Sequence, residues 1–139
     1  MHIPYWLVHQ NAVQQRQRGD FSNQVKVLYR FYCDFLPSNF NLGLYREFHE
    51  TALADLQLEN RTGIDYLISY YDTLLTNTRL VMNDAVARDV IDLSRGEGER
   101  AMFQKLRFAW RNGATNLKTR KRLGGLLTEE EKTEFDKGG

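Results

Sequence analysis

Leu28-Tyr29-Arg30-Phe31-Tyr32-Cys33-Asp34-Phe35-Leu36 is answered further along the chain by Leu67-Ile68-Ser69-Tyr70-Tyr71-Asp72-Thr73-Leu74-Leu75, and again by Phe103 to Trp110. Leu28, Leu67 and Leu106 stand 39 residues apart, and so do Tyr32, Tyr71 and Trp110. Within each block the apolar residues fall at i, i+3, i+4 and i+7, which places them on one face of a helix. A helical unit recurring at this period predicts an all-α fold of helix pairs stacked in one short solenoid. Such arrays present an extended concave surface, which favours binding over catalysis.

Working outward, the spacing predicts a helical lead-in over residues 1–19, with Pro4 to about Arg18 helical and Gly19 closing it. Ser22 is available to cap the first inner helix, which ends where Pro37 forbids continuation. Its outer partner covers about Leu42 to Leu58, buried through Leu44, Tyr45, Phe48, Ala52 and Leu56. The second pair comprises Ile64 to Leu75 and about Arg79 to Arg95, the latter buried through Met82, Ala85, Val86, Val90 and Leu93. The third inner helix runs from about Glu99 to Arg111. The repeats thus occupy 24–113, inside a helical-repeat domain of 1–113. Residues 114–139 then form a basic helix, Ala114 to Leu123, stopped by Gly124-Gly125, and a charged tail. In that tail Thr128 and Glu131 make a capping box, but the stripe is thin, with Leu126, Leu127 and Phe135 apolar, so fraying is expected. No stretch alternates as a strand would.

Composition narrows the function classes. The 139 residues carry a formal net charge of +1, too little to create a global field. One cysteine, Cys33, excludes an internal disulfide and suits a reducing compartment, hence a cytoplasmic protein. Met1 to Leu7 is followed at once by His9, Gln10 and Asn11, too polar for a secretory leader. No apolar run approaches the roughly 20 residues a membrane span needs.

Catalytic, metal and cofactor readings find little footing. The three histidines and Cys33 form no cluster at metal-ligand spacing. Cys33 has no histidine near it in sequence and reads as a packed thiol. Gly96-Glu97-Gly98-Glu99-Arg100-Ala101 mimics a dinucleotide loop, but that motif needs a preceding strand, and Val90 to Arg95 is helical by pattern.

Charge distribution says more than its sum. From Arg100 to Arg122 there are eight basic residues and no acid, interleaved with Phe103, Phe108 and Trp110. That composition suits phosphates and stacked bases. Arg107, Arg111, Lys118 and Arg120 are the candidate basic flank. Lys26 and Arg30 on the first inner helix point away from its core stripe, as does Asp34. Adding 39 to Lys26, Arg30 and Asp34 gives Asp65, Ser69 and Thr73; adding it again gives Gln104, Phe108 and Asn112. This ladder is polar and mixed in charge, with one aromatic.

Tyr29-Arg30-Phe31-Tyr32, Phe35-Leu36, Phe40-Asn41, Tyr45, Glu47-Phe48, Ala52, Asp55, Gly63 and Tyr70-Tyr71 together resemble the C-terminal DM repeat region of the translation-regulating La-related proteins, a HEAT-like array. The likeness is strongest over about Gln24 to Leu75 and stays collinear to about Arg111. The resemblance implies a non-enzymatic, cytoplasmic RNA-binding module that acts on the 5′ end of mRNA. In the family's best-known members the 7-methylguanosine cap lies between two tyrosines and is read by a carboxylate. A cationic purine favours aromatic faces, and an acid accepts from its Watson–Crick edge.

Carried across, the first-repeat arginine is Arg30, and the second falls on Ser69. The two stacking tyrosines fall on Thr73 and Asn112, and the carboxylate on Thr76. An aromatic and an arginine of the first repeat read Asp34 and Pro37. Threonine cannot stack a base, so the expectation is RNA binding without the family's cap sandwich. The alternative is a protein-interaction scaffold that docks on translation or ribosome-associated factors. No cofactor is expected.

Overall fold

The computed structural model describes residues 23–95, 99–113 and 115–137. The lead-in helix, the Ser22 cap and the glycines of the Gly96–Gly98 loop lie outside the described residues. Among the described residues there are seven helices and no strand: α1 (Asn23–Phe35), α2 (Leu42–Gln57), α3 (Thr62–Leu75), α4 (Asp84–Ser94), α5 (Arg100–Asn112), α6 (Leu117–Leu126) and α7 (Glu129–Asp136). The all-α expectation holds. The chain divides into two compact units, residues 1–69 and 70–139, with the boundary inside α3.

In the first unit, α1 buries Val25, Leu28, Tyr29 and Tyr32, and Leu36 just past its end is buried with them. The periodicity is as expected, but the helix is rotated from the expected stripe. Phe31 is half-buried, and Phe35 is 38% exposed with its ring stacked on Phe31 at 5.3 Å. The reason is a polar one. The Tyr29 hydroxyl donates to Oδ2 of Asp55, which is itself fully buried on α2. A buried carboxylate requires donors, so Tyr29 must face inward and Phe35 is carried outward.

Asn41 starts α2 by accepting from the Leu44 amide at 2.9 Å, and Tyr45, Phe48, Ala52 and Asp55 form its buried face. Leu44 and Leu56, expected in the core, are half-buried at the edge of that face. Tyr32 stacks on Phe48 at 4.8 Å, and Tyr29 lies against both Phe48 (5.9 Å) and Tyr66 (5.8 Å). The Asp55 carbonyl also ends the helix, accepting from the amides of Leu58 and Asn60. Asn60 then accepts from Thr62 to open α3. A Cβ on Gly63 would meet Tyr29 Oη at 2.5 Å and the Ala52 Cα at 2.8 Å, so α3 can approach only through a glycine.

In the second unit α4 packs on α5 and α6, and α5 on α7. Two boundaries differ from expectation. The outer helix begins at Asp84 rather than near Arg79, because residues 76–83 are held as a loop by α6 and the turn before it. The Thr119 hydroxyl accepts from the Met82 amide at 2.9 Å, and Thr115 donates to the Leu75 carbonyl at 2.7 Å. Asn116 donates to Thr78, and Arg122 to the Met82 carbonyl. Asn83 then caps the helix through the Ala85 amide. Its core residues are Val86, Ala87, Val90, Ile91 and Ser94, with Ala85 and Leu93 half-buried.

The basic helix, in turn, runs through Gly124-Gly125 to Leu126. Leu123 and Leu127 are buried on either side of the glycines. A Cβ on Gly124 would lie 3.4 Å from the Trp110 ring, so the small residue serves close packing rather than termination.

The final helix keeps its Thr128–Glu131 capping box and is packed rather than frayed. Phe135 is 2% exposed and meets Phe103 (5.4 Å) and Trp110 (6.4 Å). Arg95 grips Glu131 with two hydrogen bonds of 2.9 Å and donates a third to the Leu126 carbonyl. The Arg95 hydrogen bonds, with help from Thr128, hold the Glu131 carboxyl below its ordinary value of 4.5.

Gly63→Ala should lower stability by about 1–3 kcal/mol through overpacking, and Tyr29→Phe by about 1–3 kcal/mol through the lost hydroxyl. Leu58→Ala, at a residue 57% exposed, should stay within about 0.5 kcal/mol. Urea unfolding of the three variants checks the ranking.

A depressed carboxylate value contributes stability above the ordinary value and loses it as pH falls through the depressed one. Amide protection factors in α7, referred to the intrinsic exchange rate at each pH, should therefore fall as pH drops below 4.5. At neutral pH Glu131→Gln should cost that helix about 1 kcal/mol of local stability.

Candidate nucleic-acid interface

The surface most suited to a polyanion is built on α5. Met102, Leu106 and Ala109 bury one side of this helix, and Gly113 ends it with φ of 69°, a conformation glycine adopts without strain. The opposite side presents Gln104, Phe108, Arg111 and Asn112 to solvent. Phe108 is 62% exposed, more than any other aromatic among the described residues. Two open concavities meet at its ring. One, of about 360 Å³, is lined by Asp72, Thr76, Ala101, Gln104 and Lys105. The other, of about 370 Å³, is lined by Gln104, Arg107, Arg111 and Asn112.

The eight basic residues do not act alike. Arg100 leans over the Phe103 ring at 5.4 Å, and Lys105 pairs with Asp72 at 3.5 Å. Arg107 is half-buried and donates to the Lys137 carbonyl. Arg120 lies 4.0 Å above the Trp110 ring and donates to its carbonyl at 2.6 Å. Arg122 pairs with Asp84 at 3.0 Å. Arg111, Lys118 and Lys121 are exposed and make no ion pair among the described residues. A third hollow of about 550 Å³ gathers Lys118, Lys121 and Arg122 with Arg88, against the single acid Asp84.

Of the residues singled out from sequence, Arg107, Arg111 and Asn112 are therefore brought together beside Phe108. Lys118 belongs to the hollow on α6, and Arg120 is held against Trp110. Lys26 and Arg30 are exposed on α1 of the first unit, one helical turn apart, without ion pairs among the described residues. Thr73 and Thr76 are exposed on α3, and the Thr76 hydroxyl donates back to the Asp72 carbonyl at 2.8 Å. The Asn112 amide donates to the Phe108 carbonyl at 2.7 Å. Phe108 itself was legible as the one aromatic of the 39-residue ladder. Lys121 and Arg88 had no signal beyond bulk charge.

Among the described residues no group of histidine, cysteine, aspartate or glutamate is arranged to hold a metal ion. None of the described helices is long and apolar enough to cross a membrane. The glycine-loop reading fails at its first requirement, since α4 is the element preceding it.

These elements define an all-α helical-repeat protein with a polar, cation-rimmed face in its second unit. The family model of the LARP1 HEAT repeat region matches residues 1–132, and the chain belongs to that family of La-related, RNA-binding proteins. No solved structure matches the chain.

Cys33 is half-buried on α1 and its thiol donates to the Tyr66 carbonyl at 3.3 Å. Burial, helped by neighbouring Asp34, pushes the thiol up to about 12 from 9.0. Its thiolate is therefore scarce at neutral pH, which disfavours Cys33 as a nucleophile. At pH 8, iodoacetamide should alkylate the folded chain roughly two to three orders of magnitude more slowly than the urea-unfolded chain. Mass spectrometry of quenched samples measures both rates.

Proposed function

We propose that this chain is a non-enzymatic RNA-binding module of the cytoplasm, acting on mRNA in translational control or mRNA stability. The observation that carries the reading is the set of exposed cations Arg111, Lys118 and Lys121, which make no ion pair among the described residues. Family membership supports it. Arg107 adds a guanidinium held in place by the Lys137 carbonyl, and Lys26 and Arg30 add a second cationic pair on the first unit. Arg120 acts indirectly in this reading, fixing α6 on Trp110. With threonines at positions 73 and 76 and asparagine at 112, the reading assigns RNA affinity to phosphates and unpaired bases, and not to a cap sandwich.

A second reading, a scaffold for translation-machinery proteins, is favoured by a different observation. Val27, Phe35, Phe40 and Leu42 all project apolar surface from the first unit.

The test is anisotropy binding of the chain to capped and uncapped forms of a short single-stranded RNA at several salt concentrations. The expected result is equal affinity for both forms with a steep salt dependence. Replacing Arg111, Lys118 and Lys121 by glutamate should weaken binding across sequences. It should also flatten the log–log slope by about 0.7 for each lost phosphate contact, or about two units in all. An unchanged slope in that variant would remove the flank from the site. No RNA binding by the parent chain, together with nuclease-resistant capture of a translation factor, would favour the scaffold.

A further inference from the structure

Phe108 is an exposed aromatic that the fold does not need. Met102, Leu106 and Ala109 supply the buried side of α5, and the Phe108 ring has no aromatic partner within stacking range among the described residues. Leaving such a ring in water forgoes the burial that normally stabilises a phenylalanine. A surface apolar residue standing alone is unremarkable in itself, so what surrounds the ring decides its meaning.

The surroundings are polar. The concavity toward α3 is lined by Asp72, Thr76, Gln104 and Lys105, with Ala101 as its one apolar neighbour. The concavity on the far side is lined by Gln104, Arg107, Arg111 and Asn112. A hydrophobic anchor for a protein partner would sit in a contiguous apolar core, and beside this ring the concavities offer only Ala101. A nucleobase wants something different: an apolar face to stack on, amides at its edges, and cations near its phosphates. Phe108 offers the face, Gln104 supplies both donor and acceptor, and Arg111 stands exposed three residues on, without an ion pair among the described residues. Asn112 is partly committed, since its amide nitrogen donates to the Phe108 carbonyl, but its amide oxygen remains able to accept.

From this arrangement we infer that Phe108 is the base-stacking platform of a single-stranded RNA site. One unpaired base lies on its ring, Gln104 meets the base edge, and Arg111 holds the adjoining phosphate. The inference rests on the RNA-binding reading and adds to it the residue that selects unpaired over paired strands. A duplex keeps its bases stacked on one another and cannot present a face to a side chain, so the platform discriminates by strandedness rather than by sequence.

The experiment measures anisotropy binding of the full chain to a labelled ten-nucleotide single-stranded RNA and to a ten-base-pair RNA duplex, over a salt series. Phe108→Ala should weaken single-strand binding by about 10- to 100-fold, the stacking contribution of one base. It should leave duplex binding and the salt slope unchanged, because no phosphate contact is lost. Phe108→Trp should restore single-strand affinity and show indole quenching on titration. Arg111→Glu should do the opposite of Phe108→Ala, flattening the salt slope for both RNAs. Equal loss on single strand and duplex in Phe108→Ala would overturn the platform, as would full affinity in that variant, while the RNA-binding reading survived either result. Failure of the parent chain to bind either RNA would remove both.

Discussion

The first unit depends on the hydrogen bond between the Tyr29 hydroxyl and the buried Asp55 carboxylate. Neither group can stay inside without such a partner, since an unsatisfied buried carboxylate costs more than the hydrophobic gain of a neighbouring side chain. Meeting this requirement sets the rotation of α1, which turns Lys26, Arg30 and Asp34 to solvent and leaves Phe35 partly exposed. It also sets the distance to α3, because the Tyr29 ring fills the space where a side chain at position 63 would stand. Asp55 closes the arrangement through its backbone, whose carbonyl takes the amides of Leu58 and Asn60 just past the end of α2. One polar pair thus fixes a helix rotation, a helix approach and a helix end.

The second unit is organised by cations, and their division into two groups is what leaves a site. Arg95, Arg120 and Arg122 each combine a charged or aromatic partner with a backbone carbonyl, so their guanidiniums are tied in more than one direction. The planar fork of arginine suits such work. The residues with no ion pair among the described residues include two lysines, Lys118 and Lys121, whose ammonium groups are compact hydrated point charges, and Arg111 beside Phe108. The Lys105–Asp72 pair lies between the two groups. Both of its side chains are more than a third exposed, so the pair is worth at most about 1 kcal/mol, and an arriving phosphate competes for that lysine at little cost.

The 39-residue spacing carried the existence and order of the helices, and the cap at Thr128 was readable from local chemistry, whereas the Asn41 cap emerges only in the fold. Periodicity counts apolar residues and so placed Phe31 and Phe35 in the core stripe. It could not weigh the demand of Asp55 for a donor 26 residues away. The start of α4 escaped for the same kind of reason. Arg79 to Met82 has helical character, but Thr119 and Arg122, remote in sequence, take its backbone groups into a loop. Charge reading overstated the basic segment because Asp72 and Asp84, which neutralise Lys105 and Arg122, lie outside the acid-free stretch. Phe108 was visible as the aromatic rung of the ladder. Its significance needed the exposure and the neighbours that folding supplies.

A platform with one aromatic face has consequences for how such a module would discriminate. Stacking between two rings buries both faces of a base and rewards the charge on a methylated purine. Stacking on a single ring leaves one face to water or to the next base, and every nucleobase has a face to offer. The reading proposed for this chain therefore shifts selectivity away from base identity toward strandedness. In that reading phosphate contacts supply the larger part of the affinity, and such contacts weaken steeply with salt. The mixed ladder fits that division: Gln104 can meet a base edge as donor or acceptor, the Thr76 and Asn112 oxygens can accept, and none of the three carries a charge that would favour one base. Within a family scaffold, exchanging a two-sided clamp for a one-sided platform keeps the fold and changes what part of an RNA it can hold.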